Sequence, residues 1–217
     1  MSSLDLRSLP DRVADILRER IVAGEVAPGQ PIRQDALASE LGVSKIPLRE
    51  AMARLEQEGL LRSEANRGFF ATPLSAEEAH EVFGLRLKLE PDLAIRAAGL
   101  ATDGERGEAS RLLDRLDRAT EADDPGVAML NRAFHLALVR PAQQPVTFFI
   151  VERLHVMSER YARKHLEPLG RHARAADEHR ALLDAWCARD DTQIARLMRA
   201  HIQHALDDLE GQLTAGQ

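Results

Sequence analysis

Two groups of residues in this 217-residue chain have the types and spacing to do chemistry. The first is a set of imidazoles. Asn131 and His135 stand four apart, so on a helix both project from one face. His179 has Ala175, Leu182, Leu183 and Trp186 at helical spacings around it, and His201 has Leu197, Met198 and Ala205. Each histidine therefore belongs to the apolar, inward face of its helix. A single buried imidazole is ordinarily a structural residue with a hydrogen-bond partner nearby. Three buried separately each need a partner of their own, whereas one divalent ion satisfies all three. Imidazole nitrogen suits Zn²⁺ or Ni²⁺. His204, three residues beyond His201, is the reserve ligand. His80, His155, His165 and His172 have polar or loop surroundings and are set aside.

The second group is cationic. Ser44, Lys45 and Arg49 cluster at the start of a short helix, with Lys45 and Arg49 one turn apart on one face. Arginine can grip guanine O6 and N7 with two hydrogen bonds, while serine and backbone N–H groups suit phosphates. Arg67-Gly68, at a turn further on, can reach a DNA backbone or minor groove, since glycine permits close approach. The alternative is that these are solvated charges on an ordinary three-helix domain. Arg86 lies between Val82, Phe83, Leu89 and Leu93 on its helix face. It either clamps a ligand carboxylate or forms a buried ion pair with Glu90, one turn on.

The elements that hold these residues are mainly helical. Aromatic residues make up only 4% and β-branched runs are scarce, which disfavours an all-β fold. Apolar periodicity predicts helices over 11–22, 34–41 and 47–57, the second closed by Gly42 and the third by Gly59. Ser44 can cap the third helix. Extended pieces at 60–63 and 69–72 flank Glu64-Ala65-Asn66-Arg67-Gly68, a hairpin tip. Two short helices joined by Gly42-Val43 and followed by a hairpin are the pattern of a winged helix-turn-helix. Pro73 marks a boundary, and Ser75 with Glu78 forms a capping-box signature. Helices are predicted over about 76–101, 104–121, 126–140, 145–165, 172–189 and 191–213, with short connectors that favour antiparallel packing. The expected fold is mainly α: a winged helix-turn-helix with a small β-hairpin wing over 1–73, then an antiparallel all-α bundle over 74–217.

The net charge of −6 comes from 29 basic and 35 acidic residues and argues weakly against a nucleic-acid coat protein. One cysteine, Cys187, excludes an internal disulfide framework and a Cys-rich zinc finger. No stretch is long and apolar enough to span a membrane, and the N-terminus lacks a signal-peptide apolar block, so a cytoplasmic location is expected.

Residues 34–72 resemble the N-terminal domain of GntR-family transcription regulators. The matching stretches are Leu41-Gly42-Val43-Ser44-Lys45-Ile46-Pro47-Leu48-Arg49-Glu50-Ala51, then Leu55-Glu56-Gln57-Glu58-Gly59-Leu60, and Arg67-Gly68. Residues 76–213 resemble the FCD effector domain of the FadR-type branch. That match lies in Glu81-Val82-Phe83-Gly84-Leu85-Arg86-Leu87-Lys88-Leu89-Glu90, Asn131-Arg132-Ala133-Phe134-His135, Glu178-His179-Arg180-Ala181-Leu182 and the helix bearing His201. The resemblance implies DNA contacts from Ser44, Lys45, Arg49, Arg67 and Gly68, and a metal held by Asn131, His135, His179 and His201. Arginine is usual where this chain has Lys45; the charge survives, but two-pronged guanine readout then falls to Arg49. Aspartate is usual where this chain has Asn131. A neutral amide leaves an ion's charge uncompensated, so the site should attract an anion such as a small carboxylate effector, with Arg86 as its clamp.

The resulting expectation is a ligand-responsive regulator, by the family's commoner mode a repressor. It binds a palindromic operator in double-stranded DNA as a homodimer. Three histidines around an open position also hold catalytic zinc, so the alternative is a metal-dependent helical enzyme fused to a DNA-binding domain. That needs a general acid or base beside the ion. Glu178 is adjacent in sequence to His179 but projects about 100° away around the helix. An architectural DNA binder with no effector is a third class.

Overall fold

The computed structural model describes residues 8–122, 124, 126–161 and 172–215; the side chains of 172, 173 and 212–215 lie outside the description. The chain divides into two compact units, with the break between Leu74 and Ser75.

The first unit begins with α1 (Leu9–Val22), opened by a reciprocal capping box between Ser8 and Asp11. Its stripe of Val13, Ala14, Leu17 and Ile21 packs on α3 (Lys45–Gln57), whose Leu48, Ala51, Met52 and Leu55 are fully buried. Between them α2 (Gln34–Leu41) ends at Gly42, whose φ of 65° is the left-handed turn that closes a helix and favours glycine. Helix α3 starts two residues before the expected Pro47. Proline in a first turn forfeits no intrahelical bond, because the N–H groups there have none to make. Ser44 occupies the capping position but its side chain makes no capping hydrogen bond, which corrects the sequence expectation. Strands β1 (Leu61–Glu64) and β2 (Gly68–Ala71) pair antiparallel, Leu61 opposite Ala71 and Glu64 opposite Gly68. Asn66 (φ 62°) and Gly68 (φ 90°) turn the tip.

The second unit is all helix among the described residues: α4 (Ala76–Leu100), α5 (Asp103–Glu121), α6 (Val127–Val139), α7 (Pro145–Tyr161), α8 (His172–Ala188) and α9 (Asp191–Ala215), with one 3-10 turn at Arg140–Ala142. The predicted continuation of α7 to 165 and His165 itself lie outside the described residues. Helix α4 is the spine, packed on α9, α7 and α6, while α5 joins α6 and α8. Phe83, Phe134, Trp186, Leu182, Ile194 and Met198 fill the space between helices. Pro91 sits buried inside α4 and cannot donate to the carbonyl of Leu87, four residues back. That carbonyl instead accepts a hydrogen bond from Arg199 Nη1 of α9, at 3.1 Å.

Ser75 caps α4 through the N–H of Glu78, at 3.0 Å. The reciprocal half of the expected capping box does not form. Glu78 accepts instead from the Tyr161 hydroxyl at 2.5 Å, which ties the end of α7 to the first turn of α4.

Candidate functional site

Six helices surround a cavity of about 180 Å³ in the second unit. Helix α6 brings Asn131 and His135 to its wall, α8 brings His179, and α9 brings His201. The apolar spacings that mark these positions in the sequence are the ones that turn them inward. His135 and His179 are buried, and His201 is partly so. The Nε2 atoms of His135 and His179 face each other at 3.2 Å. Candidate ligand nitrogens of all three imidazoles lie within 4.8 Å of one another.

Electrostatics keep the two buried rings neutral. Burial above all, then the neighbouring His201, holds His179 well below the usual histidine range. The same burial, with His201, His179, His155 and Arg86 around it, does so for His135. Neutral rings present lone pairs, as ligation requires.

These residues fit a divalent ion. Two imidazole nitrogens bonded at about 2.1 Å to one ion stand roughly 3–3.4 Å apart, which the His135–His179 pair already matches. His135 Nδ1 is buried with no hydrogen-bond partner among the described residues, so this ring's polar contact is made through Nε2. His201 Nδ1 donates to Glu178 Oε2 at 2.7 Å. A proton on Nδ1 leaves the Nε2 lone pair free to ligate, and a carboxylate behind a ligating imidazole also fixes its ring. His204, the reserve ligand, donates instead to the other oxygen of Glu178, at 2.8 Å, from an exposed position. Burial alone would raise the Glu178 carboxyl, but the hydrogen bonds from His201 and His204 outweigh it and hold the group at about 2. Glu178 is thus an ionised acceptor that supports a ring from behind, a role that its projection about 100° from His179 on α8 does not reveal.

His155 departs from the expectation of polar or loop surroundings: it is buried on the cavity wall and stacks on His135, with ring centroids 5.5 Å apart. Its Nε2 lies 3.2 Å from Glu90 Oε1. Arg86 Nε donates to the same oxygen at 2.6 Å, and Arg86 Nη1 donates to Ser158 Oγ at 3.1 Å. The buried ion pair weighed for Arg86 is therefore formed, and Arg86 also lines the cavity. Burial opposes ionisation of Glu90, but the Arg86 charge and His155 prevail and hold the carboxyl at about 2. The signal for His155 was present in the sequence: Val151, Leu154, His155 and Ser158 recur at helical spacing and all face inward.

In the first unit the cationic residues lie on the surface. Lys45 Nζ pairs with Asp35 of α2 at 2.6 Å. Arg67 pairs with Glu64 across the wing tip and stacks over Phe70, 5.1 Å from the ring centre. Arg49 is exposed and makes no ion pair with a described residue. Gly68 adopts a backbone conformation that favours glycine, and a β-carbon there would also meet the Gln34 side-chain nitrogen at 3.4 Å.

Among the described residues no helix is long and apolar enough to cross a membrane. The family described as "Bacterial regulatory proteins, gntR family" matches residues 9–71, and the FCD domain matches residues 81–204. The HTH-type transcriptional regulator BphR of Paraburkholderia xenovorans (strain LB400) is 32% identical over 214 residues, covering 93% of this chain and 85% of that protein. The HTH-type transcriptional repressor GlaR of Escherichia coli (strain K12) is 28% identical over 201 residues, covering 86% and 89%. The structure of E. coli McbR/YncC shares the fold, with a TM-score of 0.85 at 24% identity over 96% of this chain and 100% of that one. The family and these relatives are transcription regulators and not enzymes, which removes the metalloenzyme alternative. This chain belongs to the gntR family of bacterial regulatory proteins and carries an FCD domain as its second unit.

Proposed function

We propose that this chain is a cytoplasmic, homodimeric transcription repressor that binds a palindromic operator and senses a small carboxylate through a divalent ion, Zn²⁺ or Ni²⁺, in its helical domain. The repressor mode follows the relative GlaR. The observation that carries the sensor reading is the His135–His179 Nε2 pair at 3.2 Å, beside His201 and facing a cavity.

Asn131, His135, His179 and His201 would hold the ion. Bound there, it would supply positive charge that four neutral protein ligands leave uncompensated and that a carboxylate could balance. The chain's own residues do the rest. Glu178 orients the His201 ring, and neutral His135 and His179 present their lone pairs without having to shed a proton. Arg86 keeps a guanidinium at the wall, where a ligand carboxylate must compete with Glu90 and Ser158 for it. Only a difference in affinity between the two DNA-binding states can turn that competition into regulation, with typical couplings of about 1–3 kcal/mol. On the DNA side, Arg49 reads bases, while Ser44, Lys45, Arg67 and Gly68 position the backbone.

A thermal-shift screen of small carboxylates, with and without chelator, tests the sensor reading. The expected result is a rise in melting temperature that the chelator abolishes in the wild type and that His179→Ala lacks. Full metal content in His179→Ala by elemental analysis would contradict the ligand set.

A further inference from the structure

The outward face of α3 carries a residue that neither packing nor electrostatics accounts for. Ile46 lies in the first turn and is 71% exposed, the same value being far above that of any other large apolar side chain on this helix. The core stripe of α3 is Leu48, Ala51, Met52 and Leu55, all buried. Ile46 is off that stripe. It shares the opposite face with Arg49 and Glu50, three and four residues on, both exposed. An isoleucine here adds nothing to the core and leaves apolar surface in water beside an arginine that pairs with no described residue.

We infer that Ile46 is a base-reading residue, recognising the 5-methyl group of a thymine next to the base pair read by Arg49. The inference rests on the reading of α3 as the helix that enters the major groove. Of the groups exposed on base edges there, the thymine methyl is the apolar one, and apolar side chains contact it. A β-branched side chain on a helix strongly prefers one rotamer, so Ile46 is held in place before DNA arrives and loses little freedom on binding. Lys45, exposed and paired with Asp35, is assigned to the DNA backbone, so the Ile46–Arg49 pair is the part of this edge assigned to bases. That pair specifies a thymine and a guanine within about two base pairs of each other, given the 1.5 Å rise per residue along the helix.

The test uses the full-length protein and a pool of random-sequence duplex DNA. Selected duplexes are then remade with each thymine replaced in turn by deoxyuridine, which deletes the methyl and nothing else, and titrated in mobility-shift assays. Loss of one buried methyl contact is expected to weaken wild-type binding about fourfold at one thymine per half-site. Ile46→Ser should bind the thymine and deoxyuridine duplexes equally, with an unchanged melting temperature, because the side chain is outside the core. Ile46→Val should retain part of the discrimination. Wild-type indifference to every deoxyuridine, or a penalty that persists in Ile46→Ser, overturns the inference while leaving sequence-specific binding intact. Failure of the pool to enrich any sequence overturns the DNA-binding role of α3, and the inference with it.

Discussion

The two units place charged and polar groups in opposite settings. In the first unit the candidate contact residues are exposed: Lys45 and Arg67 lie in water, each tethered to a neighbouring carboxylate. In the second, Arg86, Glu90, His135, His155 and His179 are all buried. DNA is a large polyanion met at a surface, where exposed cations keep their hydration until contact, and weak ion pairs hold them at little cost. Inside the second unit a buried charge is costly unless it is partnered, and Arg86 is held by Glu90 and Ser158. Surface groups can be read one residue at a time, whereas the buried groups hold one another in place as a network.

The sharpest way to break this contrast is Glu90→Ala. It leaves the Arg86 charge buried without its partner and should cost about 3–5 kcal/mol of stability in urea melts. A loss near that of a surface pair would mean that the network tolerates deletions one at a time. The same carboxyl sets a pH dependence. Its folded value of about 2 lies below its ordinary 4.5, so its contribution is fully present above about 4.5 and is lost as pH falls toward 2. Melts of Glu90→Gln across that window should lack this component of the slope.

Glu178→Gln removes the charged support behind His201 and should weaken metal affinity about 10- to 100-fold, measured by competition with a chelating dye. Arg49→Ala should cost about 1–3 kcal/mol of operator affinity and relax sequence preference in a mobility-shift titration. The smallest effects belong to the tethered surface cations. Lys45→Ala and Arg67→Ala should change folding stability by less than about 1 kcal/mol and weaken DNA binding evenly across sequences, each lowering the salt slope by about one.

The contrast also explains what could be read from the sequence. Helices form where apolar residues recur with their own local period, so α4, α5, α8 and α9 fall within about two residues of the expected bounds at their described ends. His135, His179 and His201 were legible for the same reason: each sits among apolar neighbours on its own helix. His155 has the same kind of period in Val151 and Leu154, but Glu152, Arg153, Ser158 and Glu159 around it make the stretch look solvent-facing and mask that signal. Two of those polar residues are buried because partners arrive from other helices: Arg132 pairs with Glu159 at 2.8 Å, and Arg86 bonds Ser158. Glu178 hid for a related reason. Its angle on α8 carries no information about where α9 crosses or how far a long side chain can lean. Ser75 and Glu78 had the sequence of a reciprocal cap, but Tyr161, 83 residues beyond Glu78, took the carboxylate. Pairing across the fold is the part that local periodicity does not encode.

Pro91 shows how local preference and assembly can rank one residue in opposite order. By intrinsic propensity an alanine at this position would make the better isolated helix, by roughly 3 kcal/mol. In the folded protein that exchange gives the Leu87 carbonyl a donor within its own helix and sets it in competition with the Arg199 guanidinium from α9. A substitution that looks stabilising on one strand of sequence would thereby loosen the grip between the first and last helices of the bundle.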